Sequence, residues 1–266
     1  MKRLIIILLL SYIVPNSFGQ LYVQPSVGYT VSSHPTENQS ILIIDNQKTV
    51  YKTELKFGEG IHLGLNLGFS FKDNFFIELN TKRSIYSKYS ASTYQPNFQE
   101  LNNFYSSGYF GEINYESSIF QIAPLIGYHV KKNKFNAYFK LGPNFMKSTI
   151  NRTLKYIDWE LDNGEFYPLN TIKKNEYTGK FHVGLQANLG FCYSLNHNLQ
   201  LVLDLVSVYN NYEITKAEIK YYEIDGVSHL DKLEDTNIEI DEDDNKLNHS
   251  HYGINIGIKY VFNKKE

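Results

Sequence analysis

Between residues 57 and 71 apolar and polar side chains alternate. Ile61, Leu63, Leu65, Leu67, Phe69 and Phe71 fall on one side of a period-two repeat, and Gly58, Gly60, His62, Gly64, Asn66, Gly68 and Ser70 fall on the other. A helix would mix these sets; a strand separates them into an apolar face and a polar, mostly small face. The same pattern recurs at 21–31, 75–82, 120–130, 137–145, 181–194 and 252–262. A segment at 199–206 alternates less cleanly, because Val202 and Val206 fall on its polar side. The pattern predicts about eight two-faced strands. Pro25, Pro124 and Pro143 lie inside three of them, where a missing N–H predicts bulges or irregular pairing.

The connections alternate in length. Lys72–Asn74, Lys131–Lys134 and Asn196–Asn198 are short polar turns, whereas 33–56, 87–115, 149–179 and 211–250 are long. Short turns at one end and long loops at the other is the asymmetry of an outer-membrane β-barrel, with the long loops outside the cell. An even strand number then places both ends of the barrel on the periplasmic side. In lipid the sheet has to close, because an open edge would leave backbone groups unpaired. The expected fold is therefore all-β: a closed antiparallel up-and-down transmembrane barrel of about eight strands.

Composition narrows the picture. Aromatic residues reach 15 %, suited to the aromatic girdles of such a barrel. Phe69, Phe71, Phe75, Tyr128, Phe135, Tyr193, Tyr260 and Phe262 are expected at the short-turn rim, and Tyr29, Phe57, Phe181, Tyr209 and Tyr252 at the long-loop rim. The formal charge of −2 gives no electrostatic basis for a nucleic-acid partner. Cys192 is the only cysteine, so an intramolecular disulfide and a cysteine-based zinc site are excluded. It falls on the lumen face, as an inert buried thiol. At the N-terminus, Met1-Lys2-Arg3 precedes the apolar run Leu4–Leu10, and Ser17-Phe18-Gly19 supplies small residues at a cleavage site. This reads as a signal peptide over 1–19, cut after Gly19, ahead of one barrel domain over 20–266.

Residues 117–147 read Ser-Ser-Ile-Phe-Gln-Ile-Ala-Pro-Leu-Ile-Gly-Tyr-His-Val, a lysine turn, then Phe-Asn-Ala-Tyr-Phe-Lys-Leu-Gly-Pro-Asn-Phe-Met-Lys. This resembles the hairpin of the porin-like (PorT-like) outer-membrane β-barrel domain family, with Pro124-Leu125 and Gly142-Pro143 at the matching steps. The last strand, Tyr252 to Phe262, resembles the aromatic-ended signal that barrel-assembly machinery reads, here followed by Asn263-Lys264-Lys265-Glu266. The resemblance implies a small barrel, a bacterial outer-membrane location and outer-membrane lipids as surroundings. It implies no single activity.

The inward face carries the candidate chemistry. Glu78, Lys82, Lys140, Asp204, Lys259 and His62, with His129 and His182, form either a polar plug or a pore lining. A barrel of eight strands has room for side chains or one small ligand. Lys140 and Asp204 are expected to pair, since both sit about five residues in from the short-turn end. His249-Ser250-His251 has ligand-like spacing for a strand, but no third ligand is specified, and a solvated loop stem is the expected reading. An acidic stretch, Glu234 to Asp244, lacks the glycine-bearing spacing of a calcium loop. An aromatic stretch, Tyr89 to Phe110, could receive a glycan or a protein partner, or fold over the rim. No catalytic, metal or cofactor site is expected. The leading expectation is a structural or interaction barrel presenting its loops. A small channel for hydrophilic solutes and an outer-membrane lipid-modifying enzyme are the alternatives, and the enzyme predicts a Ser, His or Asp pair within hydrogen-bond distance near the rim.

Overall fold

The structure is a computed structural model, and it describes residues 19–34, 36–44, 47–71, 74–85, 87–95, 109–162, 165–238, 240 and 246–262. Residues 1–18, which carry nearly all of the expected signal peptide, lie outside these, as do five of the seven acidic residues of the stretch Glu234 to Asp244 and most of the aromatic loop.

Eight strands form the barrel: β1 (Gln20–Ser32), β2 (Gly60–Ser70), β3 (Phe75–Ile85), β4 (Tyr109–Lys132), β5 (Phe135–Asp162), β6 (His182–Ser194), β7 (Leu199–Tyr209) and β8 (His251–Val261). Each pairs antiparallel with the next, and β8 returns to pair with β1. The ring therefore closes with no free edge. The sheet's two faces meet different surroundings. Leu63, Leu65 and Leu67 are 55 %, 43 % and 49 % exposed, which puts the apolar face of β2 outside the barrel and excludes a carrier with an apolar cavity. On β8 the outward set runs from Tyr252 to Phe262, ten steps of about 3.3 Å. At a tilt near 40° that is roughly 25 Å along the barrel axis, the height of a transmembrane apolar band.

Aromatic pairs mark the short-turn rim: Phe69–Phe71, Phe75–Tyr128, Phe135–Tyr193 and Tyr260–Phe262, with ring centroids about 5 Å apart. Short turns close this end. Asn133 takes a left-handed φ of 56° between β4 and β5, and the Asn196 side chain accepts the N–H groups of Asn198 and Leu199 ahead of β7.

Of three expectations one is met in part and two are corrected. At the prolines the pairing is irregular as expected, since the β1–β8 ladder breaks at Gln24 and Pro25 and the β4–β5 ladder at 123–125, but no bulge forms. Val23↔Tyr260 and Ser26↔Gly257 keep one register across Pro25, and Ile122↔Phe145 and Ile126↔Leu141 keep one register across Pro124 and Pro143. In an antiparallel sheet a residue bonds to one neighbouring strand only, so a proline interrupts one ladder while the other holds the register. Pro25 stays paired with Leu65, Pro124 with Leu79 and Pro143 with Leu185. Second, much of the chain expected as loop is strand. β4 and β5 run 24 and 28 residues, far beyond the roughly ten that span a bilayer. Their outer halves continue into a sheet with Ser87–Gln95 on one side and Glu165–Thr178, Lys216–Ile224 and Val227–Ser228 on the other. Third, Phe57 is buried beneath the mouth rather than placed in the outer girdle.

Candidate functional site

The lumen is filled in layers, each set by which residues take the inward phase of the alternation. At the short-turn end Tyr22, Phe76, Tyr138, Cys192, Val202 and Val261 pack together. Val202 blurred the sequence pattern because it belongs to this inward apolar layer. Each aromatic lies across a glycine directly opposite it: Tyr22 on Gly68, Phe76 on Gly127, Tyr138 on Gly190. A Cβ at any of these glycines would come within 2.1–2.2 Å of a ring carbon, so the small residues of the polar face make room for the plug.

The charged layer sits above. Lys140 Nζ, fully buried, donates to Glu78 Oε1 at 2.8 Å and to Asp204 Oδ2 at 3.4 Å. The expected partner Asp204 is thus present, and Glu78 is nearer. Tyr22 donates to Glu78 Oε2 at 2.8 Å, Tyr138 to Asp204 Oδ1 at 2.5 Å and Gln24 to Asp204 Oδ2 at 3.4 Å. The carboxylates are therefore held by the same aromatics that form the plug. Lys259 places its ammonium 3.6 Å from the centre of the Tyr22 ring, an attraction to the negative ring face. His129 stacks on Phe76.

Higher still, amides span the lumen. Asn144 donates to Gln186, Gln186 to Asn80 and to Asn188, and Asn80 to Asn66. His62 Nε2 lies 2.6 Å from Asn255 Oδ1. Lys82 is buried and takes no part in the ion pairs.

The mouth at the hairpin end is covered. Phe57 stacks on His249 with ring centroids 5.2 Å apart, and Tyr212 leans on the same imidazole at 5.1 Å. His182 meets the Tyr212 ring edge-on. A short ladder of Asn211–Glu213 with Lys246–Asn248 carries Tyr212 into place. His249, Ser250 and His251 are all buried, so they are not a solvated stem. His249 and His251 go to different neighbours: His249 to this cap, His251 to Gln121 at 3.3 Å. Burial lowers the His249 pKa to about 4. Among the described residues no group of His, Cys, Asp and Glu could hold a metal ion.

Besides the exposed chain neighbours Ser33 and His34, 3.0 Å apart, a Ser–His contact lies at the rim: His249 Nε2 is 3.2 Å from Ser148 Oγ. The other imidazole nitrogen faces the Leu247 carbonyl at 3.3 Å rather than a carboxylate. Both side chains are fully buried, and the Ser148 carbonyl accepts from Tyr212 at 2.6 Å. Catalysis by such a pair needs an orienting acid and a place for the reacting atom; neither is present among the described residues.

No protein-family model matches the chain, and no curated protein matches it. Among solved structures it is similar to Neisserial surface protein A at 9 % identity over 91 % of this chain and 97 % of that one, with a TM-score of 0.43. It is similar to CarO of Acinetobacter baumannii at 10 % identity over 90 % and 97 %, with a TM-score of 0.37. It is similar to the outer membrane protease OmpT of Escherichia coli at 8 % identity over 94 % and 98 %, also with a TM-score of 0.37. At these values the barrel assignment stands on the strand ladder and the apolar belt alone.

Sequence reasoning named the charged residues of the lumen but not Tyr22, which shares the inward phase of Gln24 and could have been found from it. Ser148 and Tyr212 carried no such signal, because the segments around them lose the two-faced pattern; Phe57 shares the outward phase of the 57–71 alternation, but the strand begins only at Gly60, and Gly58 and Gly60 take positive φ.

Proposed function

We propose that this protein is an outer-membrane barrel with a sealed, non-conducting lumen, which serves to anchor and present the β-sheet that rises from one rim. The observation that carries this reading is Lys140, fully buried between Glu78 and Asp204 across the middle of the lumen, directly above an aromatic plug. A solute would have to part an ion pair, displace three rings and then lift the cap over His249. The signal-peptide pattern at residues 1–19 supplies the export route, the aromatic-ended last strand suits recognition by assembly machinery, and the long hairpins face outside the cell. A surface ligand or protein partner would meet the projecting sheet rather than the lumen. The protein is not an enzyme in this reading, since the Ser148–His249 contact is closed to substrate.

The test is planar-bilayer recording with purified full-length protein. Absence of steady single-channel current supports the sealed barrel. Reproducible unitary conductance in the unmodified protein would establish the channel reading instead.

A further inference from the structure

Lys82 stands apart from the other charges of the lumen. It is 4 % exposed, and among the described residues its Nζ has no hydrogen-bond partner. It lies on the same face of β3 as Glu78 but four residues nearer the mouth, about 13 Å along the strand. The carboxylates are engaged elsewhere. Glu78 takes Lys140 and Tyr22, and Asp204 takes Lys140, Tyr138 and Gln24. Lys82, Lys140 and Lys259 face only two carboxylates among the described lumen residues, so one positive charge is left without a counter-charge.

The surroundings of Lys82 form a small chamber of about 20 Å³, lined by Thr30, His62, Lys82, Ser84, Gln121 and His251. That is room for one water-sized species. Its polar groups have defined roles. Ser84 Oγ accepts the Ile119 N–H at 2.6 Å, which leaves the hydroxyl proton free to donate. His251 Nδ1 donates to the His249 carbonyl at 2.8 Å. Its Nε2 therefore accepts from Gln121 Nε2, whose second proton remains available. The chamber thus gathers an ammonium, a hydroxyl proton and an amide proton, with no carboxylate among its walls; the Thr30 proton is committed to the Gly58 carbonyl, and the Gln121 carbonyl oxygen is buried without a partner among the described residues.

We propose that this chamber binds one small monovalent anion, of the halide class, as the counter-ion of Lys82. A water molecule there would accept a hydrogen bond from Lys82 but leave the charge buried and uncompensated, which is the costly state in a low-dielectric interior. An anion meets both needs. The site does not depend on whether the barrel conducts.

The experiment uses the full-length protein in detergent, crystallised with bromide in place of chloride. An anomalous bromide peak within about 3.5 Å of Lys82 Nζ is expected, and it should disappear in Lys82→Met. A water at that position in the unmodified protein, or a peak that survives in Lys82→Met, overturns the proposal. Thermal unfolding gives a second readout that needs no crystal. At constant ionic strength the unmodified protein should melt higher in bromide or chloride than in gluconate, and Lys82→Met should show no difference. Equal melting of the unmodified protein in all three salts counts against the site.

Discussion

At the scale of the residue, the lumen turns on a few buried groups whose partners define them. Lys140 holds two carboxylates together, so its loss leaves buried like charges without a cation between them. Lys140→Met is expected to destabilise the barrel by about 3–5 kcal/mol, read as a lower urea midpoint in lipid vesicles. Adding Glu78→Gln and Asp204→Asn to that variant should recover part of the loss. His249 offers a different handle. Burial between Phe57 and Tyr212 pushes its pKa down to about 4, while an unfolded histidine titrates near 6.5. The cap is stabilised by a neutral imidazole, so this contribution is complete above about pH 6.5 and is lost as pH falls toward 4. Limited proteolysis within 210–213 and 246–250 should be faster at pH 4.5 than at pH 7.5, and His249→Phe should remove that difference. The charged residues were legible in the sequence because they interrupt small, uncharged inward positions. Their partners were not, since Lys140, Glu78 and Asp204 come from strands that meet only when the ring closes.

At the scale of the element, β4 and β5 are two structures in one. Their lower halves span the apolar belt, and their upper halves form the centre of the projecting sheet. The belt halves alternate cleanly because one face meets lipid and the other the lumen. Above the belt that contrast ends, and β-branched, aromatic and charged residues occupy both faces, as in Thr149, Ile150, Asn151, Arg152 and Thr153. Period-two hydrophobicity therefore fades although the ladder continues from Lys132↔Phe135 to Gly111↔Tyr156, and a reading based on pattern takes the extension for loop. The barrel should not need it. Thr153 and Lys174 are directly opposed, so replacing residues 154–173 by an Asn-Gly turn preserves the pairing below. The shortened protein is expected to fold and to keep the faster electrophoretic migration of an unboiled barrel, while losing whatever the sheet binds.

At the scale of the whole molecule, the lumen has barriers in series: aromatic plug, ion layer, amides and cap. Removing one should not open it. Glu78→Ala with Lys140→Ala and Asp204→Ala is expected to stay silent in planar bilayers, because Tyr22, Phe76 and Tyr138 still close the short-turn end. Truncating those rings as well, together with His249→Ala, should yield current. If the first variant already conducts, the ion layer alone is the seal.

The amino-acid sequence by itself determined the strands of the barrel, their inward and outward faces, the side on which short turns lie and the even number that closure demands. These are local or statistical properties: period two, turn chemistry and the need to satisfy every backbone group in lipid. Only the tertiary structure decided what the inward residues do for one another. It set Tyr22 over Gly68, left Lys82 without a carboxylate, turned two of the three neighbours His249-Ser250-His251 toward separate partners and built parts of three long connections into one sheet. Each of these depends on register between strands distant in sequence, and register is fixed by closing the ring rather than by any one strand.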